Sequence, residues 1–344
     1  MAREACYRLA MKPFRILAAA LPLALLIAAC GPNGGSSPSA VVTPSPTASP
    51  APNPSPSPAP SSSAVETPFG YFALTSRRLS DAEKIALVSQ SAISGMTSYV
   101  TWADIEPTKD QMDFSRLDAD IAIARAAGKK ITIGVFTGRE GLPGWLASAG
   151  VRLWTNSQGT TLVHPADTAF VALWEQRVAL LGQRYDNDPT VVQVTICGAA
   201  GTLCGPRYPE LPGDVAYDQL VSNWSRVIDA YIAAFPKTYL NLEVQLTAGY
   251  GTQLPIDLFA RIPAAVAIGP FAEFLSDTNP APTSPLGQAY AAIASARTYC
   301  AFQMVSPLGD RVDEAVALGR GYGCRYFEIY AEDVTSNAAN LPAP

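Results

Sequence analysis

The chain has 344 residues and a net charge of −5, with 24 Lys and Arg against 29 Asp and Glu. Its first 30 residues have the pattern of a targeting peptide, and without them the balance is 20 basic against 28 acidic side chains. No cluster of Lys or Arg remains to contact a phosphate backbone, so nucleic-acid binding is excluded.

The targeting pattern is that of a secretory signal. Arg8, Lys12 and Arg15 precede an apolar run that ends in Ile27-Ala28-Ala29-Cys30. This run is too short to span a bilayer, which takes about 20 residues. Its last residues resemble the lipobox of bacterial lipoproteins, and the resemblance implies a lipid on Cys30. We expect an exported lipoprotein of the outer membrane or cell surface, held to the membrane by that lipid alone. An ordinary cleaved signal is the alternative.

A Pro/Ser-rich linker follows the signal at residues 31–65. It contains no charged residue and holds ten of the chain's 30 prolines. Such a composition cannot bury enough apolar surface to offset the entropy of ordering, so we predict a disordered tether. Although 344 residues suggest two domains, the remaining 66–344 suit one α/β domain of the size of a (β/α)₈ barrel.

Eight short β-branched runs alternate with helical stretches along residues 66–344, which predicts a (β/α)₈ TIM barrel. The predicted strands are Gly70–Leu74, Met96–Ile105, Lys130–Phe136, Thr190–Cys197, Tyr239–Leu246, Ala265–Pro270, Cys300–Val305 and Cys324–Tyr330. Because side chains alternate across a strand, we expect the polar positions of the fifth and eighth strands to face the lumen. Glu243 and Glu328 are among them, on strands three apart.

The domain retains four cysteines, which allow three disulfide pairings in an oxidising compartment. Cys300 and Cys324 begin neighbouring strands, whose Cα atoms are about 5 Å apart, so we predict that they are bonded. Cys197 closes the fourth strand, and Cys204 lies in the loop after it, where a disulfide would fix that loop. With a single histidine, His164, and no Cys-x-x-Cys pair, we expect no metal and no cofactor.

Two segments after the second predicted strand carry a family resemblance. Trp102-Ala103-Asp104-Ile105-Glu106-Pro107 and Met112-Asp113-Phe114-Ser115-Arg116-Leu117-Asp118 resemble a pattern of barrel glycoside hydrolases, nearest to the family-42 β-galactosidase-like group of the large retaining clan. The resemblance implies a general-acid Glu at the end of the fourth strand and a nucleophilic Glu at the end of the seventh. Here the fourth strand runs into Cys197 with no acid before Glu210, and the seventh carries Gln303.

These observations predict a surface-anchored glycoside hydrolase-like protein that is a monomer. 

The expected substrate is an oligo- or polysaccharide, and the expected partners are carbohydrate and, through the N-terminal lipid only, the membrane. Two alternatives stay open: a non-catalytic carbohydrate-binding barrel that lacks the clan's carboxylates, and a structural or adhesive surface domain.

The candidate site residues lie at strand ends and in the loops that follow them. The predicted catalytic carboxylates are Glu243, Glu328 and Glu210. The predicted substrate-binding residues are polar groups of the lumen and aromatic rings on which a sugar can stack: Trp102, Glu106, Phe136, Arg139, Trp145, Gln193, Asn241, Gln245, Gln303, Tyr326 and Tyr330.

Overall fold

The structure is a computed structural model, and it describes residues 65–75, 78–138, 141–199, 201, 204–337 and 341–342. The predicted signal, most of the linker and the lipidation residue Cys30 lie outside these residues. The strands are β1 (Gly70–Leu74), β2 (Ile93–Thr101), β3 (Lys130–Phe136), β4 (Leu153–Thr155), β5 (Thr161–Val163), β6 (Val191–Thr195), β7 (Tyr239–Glu243), β8 (Ile268–Leu275), β9 (Ala301–Met304) and β10 (Tyr326–Tyr330).

Helices connect successive barrel strands. They are α1 (Asp81–Val88), α2 (Trp102–Ile105), α3 (Ser115–Ala126), α4 (Thr168–Tyr185), α5 (Tyr217–Ala234), α6 (Gln253–Arg261), α7 (Pro285–Ser295), α8 (Val312–Gly321) and α9 (Ala331–Asn337). Side chains that accept backbone N–H groups begin several of them: Ser80 forms a capping box with Glu83 before α1, and Asp167 caps α4. No helix among the described residues is long and apolar enough to cross a membrane.

Eight parallel strands close into a barrel in the order β1-β10-β9-β8-β7-β6-β3-β2, which confirms the predicted (β/α)₈ fold. Two predicted strand ends differ from the structure by four residues or more. The second strand ends at Thr101, because the Thr101 side chain accepts from the Asp104 N–H and starts α2. The sixth strand continues past Pro270 to Leu275.

An aromatic layer fills the amino end of the barrel. Its inward-facing side chains pack as one cluster: Phe72, Val192, Tyr239, Phe271, Tyr299, Ala301 and Tyr326. Glycines leave room for the rings, since a Cβ on Gly95 would lie 2.5 Å from the Phe72 ring, and one on Gly134 would lie 2.7 Å from the Tyr99 ring. The outward-facing Leu240, Leu242, Phe327 and Ile329 belong instead to the core beneath the helices, as alternation predicted.

Both predicted disulfides are present. Cys300–Cys324 joins the residue immediately before β9 to the residue two positions before β10, with 4.8 Å between the Cα atoms. Cys197–Cys204, with 4.0 Å between the Cα atoms, ties the end of the fourth barrel strand to the loop that follows. The antiparallel hairpin of β4 and β5 lies in the connection between β3 and α4 and was not predicted.

Gly95→Ala tests how closely β1, β2 and β3 approach at the aromatic layer. A Cβ there would lie 2.4 Å from the Lys130 carbonyl oxygen, so we expect the free energy of unfolding to fall by about 1–3 kcal/mol in urea denaturation. Gly144→Ala is the control, because its Cβ meets nothing within 4 Å. Equal losses in the two variants would contradict this packing.

Candidate functional site

A layer of polar side chains lies in the lumen above the aromatic layer. Tyr99 of β2 and Tyr326 of β10 both donate to Glu328 Oε1, at 2.8 and 2.9 Å. Burial raises the pKa of Glu328 to about 8, although the two hydroxyl donors act to lower it. Glu328 is therefore largely protonated at neutral pH, as a carboxylic acid held deep in the barrel.

Glu243, at the end of β7, is the second buried carboxyl. A Cβ built on Gly205 would lie 2.2 Å from Glu243 Cβ and 2.8 Å from its Oε2, so the loop backbone lies directly against this side chain. Burial raises the pKa of Glu243, while Arg207, the Gln245 side chain and the Gly205 N–H act to lower it. These neighbours favour the ionised form, but burial outweighs them and the pKa of Glu243 remains raised.

Glu273 of β8 is a third buried carboxyl, and it was not among the predicted residues. Phe271 pairs with Glu243 across β7 and β8, so Glu273 lies two residues further along the neighbouring strand, on the same lumen face. Parallel-strand geometry puts the two Cα atoms about 8 Å apart. Arg207 Nη1 lies 3.9 Å from Glu273 Oε2.

The environments of Glu243 and Glu273 give the two carboxyls different pKa values. Burial raises the pKa of Glu273 well above its ordinary value, and the negative charge of Glu243 raises it further. Arg207 opposes this rise, and Glu328 adds to it. Because two neighbouring buried carboxyls cannot both ionise cheaply, the pair shares one proton, which we assign to Glu273.

Several buried polar atoms in this layer have no hydrogen-bond partner of good geometry among the described residues. Seven of the eight such side-chain atoms belong to lumen residues: Gln193 Nε2, Asn241 Oδ1 and Nδ2, both oxygens of Glu243, Gln245 Nε2 and Glu328 Oε2. The eighth is Trp154 Nε1 in the hairpin. Buried polar groups are normally satisfied, so their concentration in one place marks this part of the lumen as the candidate site.

Glu273 was missed because Pro270 was interpreted as the end of the sixth strand. The Leu240 N–H donates to the Ala267 carbonyl, and the Val244 N–H donates to the Phe271 carbonyl. The odd-numbered residues of this segment therefore form the hydrogen bonds to β7. The pairing of β8 with β9 begins only at Phe271. Pro270, which has no N–H to donate, therefore removes no hydrogen bond between these two strands. The alternation of Phe271 and Glu273 with Ala272 beyond Pro270 was the available signal.

The structure corrects the predicted roles of Trp102 and Glu106. Both side chains are buried, and their polar atoms are bonded to each other and to Arg177 rather than left for a ligand. Trp102 Nε1 donates to Glu106 Oε2 at 2.7 Å, and Arg177 of α4 pairs with the same carboxylate at 2.5 Å. Burial raises the pKa of Glu106, but the hydrogen bonds from Arg177 and Trp102 outweigh it and leave the pKa lowered. These residues attach α2 to α4.

Trp145 belongs to the same cluster. Its indole N–H donates to the Glu106 carbonyl at 3.0 Å, and its ring meets Trp102 edge-on. Tyr326 is a second correction, because it lies fully buried in the aromatic layer and its hydroxyl bonds to Thr132 and Glu328. It supports the site from below.

The remaining predicted residues stay predictions. Phe136 is half-buried at the end of β3 and stacks on Tyr99 at 5.1 Å between ring centroids. Tyr299 donates to Gln193 Oε1 at 2.8 Å, leaving Gln193 Nε2 for another partner. Four more lie at lumen or strand-end positions around the same region: Asn241, Gln245, Gln303 and Tyr330. Arg139 lies outside the described residues.

Glu210 lies in the loop before α5 and bonds to the β4–β5 turn. Its carboxylate accepts from the Ser157 hydroxyl at 2.6 Å and from the Ser157 N–H at 3.0 Å. These bonds lower its pKa. None of its hydrogen bonds within the described residues reaches Glu243, Glu273 or Glu328, so the structure does not join it to the buried carboxyls.

No group of three or more His, Cys, Asp or Glu in the described part of the chain is placed to hold a metal ion. His164 is buried, with its Nε2 at 3.1 Å from Asp214 Oδ1 and its Nδ1 accepting from the Ala166 N–H. The histidine therefore joins the β5–α4 connection to the loop before α5.

A closed parallel barrel with buried carboxyls at the carboxyl end of its strands has the architecture of barrel glycoside hydrolases. The family model of β-galactosidase, glycoside hydrolase family 42, matches residues 75–199, which confirms the resemblance found in the sequence. No curated protein matches the chain.

Solved glycoside hydrolases share the fold. A psychrophilic family-10 endo-β-1,4-xylanase is 15% identical with a TM-score of 0.52, over 76% of this chain and 86% of the xylanase. The β-galactosidase from Bacillus circulans sp. alkalophilus is 11% identical with a TM-score of 0.54, over 76% of this chain and 50% of that enzyme. Endo-glycoceramidase II from Rhodococcus sp. is 11% identical with a TM-score of 0.52, over 77% and 73%. At these identities the likeness shows the fold alone.

The carboxyls stand on other strands than the resemblance implied. β6 and β9 are the fourth and seventh strands of the barrel, and they carry Thr195 and Gln303 where acids were expected. Glu243, Glu273 and Glu328 stand instead on the fifth, sixth and eighth barrel strands.

Arg177→Met tests the structural role of Glu106. It leaves a fully buried carboxylate without its cation, so we expect the free energy of unfolding to fall by about 3–5 kcal/mol in urea denaturation. Arg226→Met is the control, since the Arg226–Glu175 pair is 40% and 31% exposed and should contribute at most about 1 kcal/mol. A small loss in Arg177→Met would contradict the network.

Glu328→Gln tests the protonated state of Glu328. The pKa of Glu328 is about 8 in the folded protein against an ordinary 4.5. Its contribution to the free energy of unfolding is therefore complete below pH 4.5 and is lost as the pH rises through 8. The variant should therefore gain stability over the native protein between pH 5 and pH 8, by on the order of 3 kcal/mol. Urea denaturation at several pH values measures this difference, and parallel pH profiles would contradict it.

Proposed function

We propose that this protein is a glycoside hydrolase that acts on an oligo- or polysaccharide, with Glu243 and Glu273 as its carboxylate pair. The observation that supports this best is the set of unpaired buried polar atoms in the lumen, around Asn241 and Glu243. An occupant that satisfies both donors and acceptors in one small space must itself offer both, as the hydroxyl groups of a sugar do.

The paired carboxyls supply the two functions that glycoside cleavage requires. Glu273, which retains its proton, is suited to protonate the leaving oxygen as general acid. Glu243, with Arg207 and the Gly205 N–H beside it, is suited to act as base or nucleophile. Glu328 is fully buried and bonded to two tyrosine hydroxyls, so it is suited to support the carboxylate pair from within the barrel rather than to react.

The proposal extends to the location of the enzyme. The signal and the lipid on Cys30 are predicted from residues 1–30, outside the described part of the chain. With the 31–65 linker they support an enzyme tethered at the bacterial cell surface, where polysaccharides are accessible. A non-catalytic carbohydrate-binding barrel is the second candidate, favoured by Thr195 and Gln303 at the two clan positions.

Turnover of a panel of chromogenic glycosides and soluble polysaccharides distinguishes the two functions. We expect Glu243→Gln and Glu273→Gln each to lower kcat/KM by about 10²- to 10⁴-fold, because each removes a proton-transfer or nucleophilic group without changing its shape. Glu314→Gln, an exposed acid in the first turn of α8, is the control and should leave the rate unchanged.

Two results would contradict the hydrolase. Turnover that survives both substitutions would remove the carboxylate pair from the reaction. Saturable binding of a glycan with no turnover by the native protein, measured by calorimetry and product analysis, would establish the binding barrel instead.

A further inference from the structure

The loop after β6 is fixed at both of its ends. The Cys197–Cys204 disulfide closes it, and the buried Tyr208 donates its hydroxyl to the Ala199 carbonyl. Trp224 of α5 in turn donates to the Tyr208 hydroxyl at 2.7 Å. Residues 204–208 therefore have little freedom to move away from the barrel mouth.

The same loop is bonded to the segment that follows β7. The Ala248 N–H donates to the Tyr208 carbonyl at 2.8 Å, and the Thr247 hydroxyl donates to the Pro206 carbonyl at 3.4 Å. Between these anchors, Gly205 lies against Glu243 with no room for a side chain, and Arg207 projects toward Glu273.

Arg207 is the positive charge that acts on both carboxyls of the pair. It lowers the pKa of Glu243 and the pKa of Glu273 against the effect of burial. The other titratable groups facing the pair are Glu328 on β10, which raises the pKa of Glu273, and Tyr99 on β2, which bonds to Glu328. Both are uncharged when protonated, so neither replaces the guanidinium.

We propose that Arg207 is a positioning residue that supplies the positive charge beside the Glu243–Glu273 pair, and that the Cys197–Cys204 disulfide holds the loop that presents this charge. This inference rests on the proposed function. It assigns to the disulfide a role in the chemistry of the site, whereas Cys300–Cys324, at the amino end of the barrel, serves the fold alone.

The pH profile of kcat/KM tests this positioning role. Removing the positive charge raises the pH at which Glu243 ionises, so Arg207→Gln should move the acidic limb upward by about one pH unit. Arg207→Lys restores a charge and should return the limb toward its native position. The C197S/C204S variant should shift the limb as Arg207→Gln does, and C300S/C324S is its matched control and should not.

A second readout needs no substrate. The infrared C=O stretch of protonated carboxyls, assigned with Glu243→Gln and Glu273→Gln, follows the same titration in the folded protein. If C197S/C204S fails to fold, Gly205→Ala replaces it, because its Cβ forces the same loop away from Glu243. An infrared titration that does not move in Arg207→Gln would overturn the inference. Absence of any glycan turnover would instead overturn the proposed function. The infrared titration would still decide whether Arg207 supplies the positive charge beside the pair.

Discussion

Burial of carboxyl groups inside a closed barrel is the constraint on which this site depends. An ionised carboxylate in a low-dielectric interior is costly, so each one must keep its proton, gain a cation or be bonded by donors. The protein uses all three. Glu328 keeps its proton under two tyrosine hydroxyls, Glu243 faces a backbone N–H and an amide, and the Arg207 guanidinium acts on the pair of Glu243 and Glu273.

The aromatic layer makes this polar layer possible. Phe72, Tyr299 and Tyr326 fill the amino end of the lumen, so the carboxyls lie on an apolar floor. The tyrosines also link the layers, because their rings lie in the apolar cluster and their hydroxyls bond to Gln193 and Glu328 above. Inward-facing Gly95 and Gly134 give the rings space, which a barrel core made only of branched aliphatic side chains would not require.

The sequence predicted those features that depend on periodicity. Alternation along the fifth and eighth strands placed Glu243 and Glu328 in the lumen, and the order of parallel strands predicted the Cys300–Cys324 disulfide. Features that depend on tertiary context were not predictable in this way. The Trp102 and Glu106 motif has the polar and aromatic composition of a sugar site, and only the position of Arg177 on α4 shows that it is a buried structural network. Arg207 lies in a loop, where no periodicity of the sequence indicates which way a side chain points.

The geometry of the barrel explains how a carboxyl pair can stand on other strands than the family resemblance implied. Inward-facing side chains near the carboxyl ends of different strands converge on one volume, so a carboxyl pair on β7 and β8 can act on the same space that β6 and β9 would serve. What the chemistry requires is two acids whose environments separate their pKa values, and not particular strands. In this chain one loop contributes to that separation. Its Gly205 N–H lies against Glu243 and acts to lower the pKa of Glu243, so part of the asymmetry of the pair comes from outside the barrel wall.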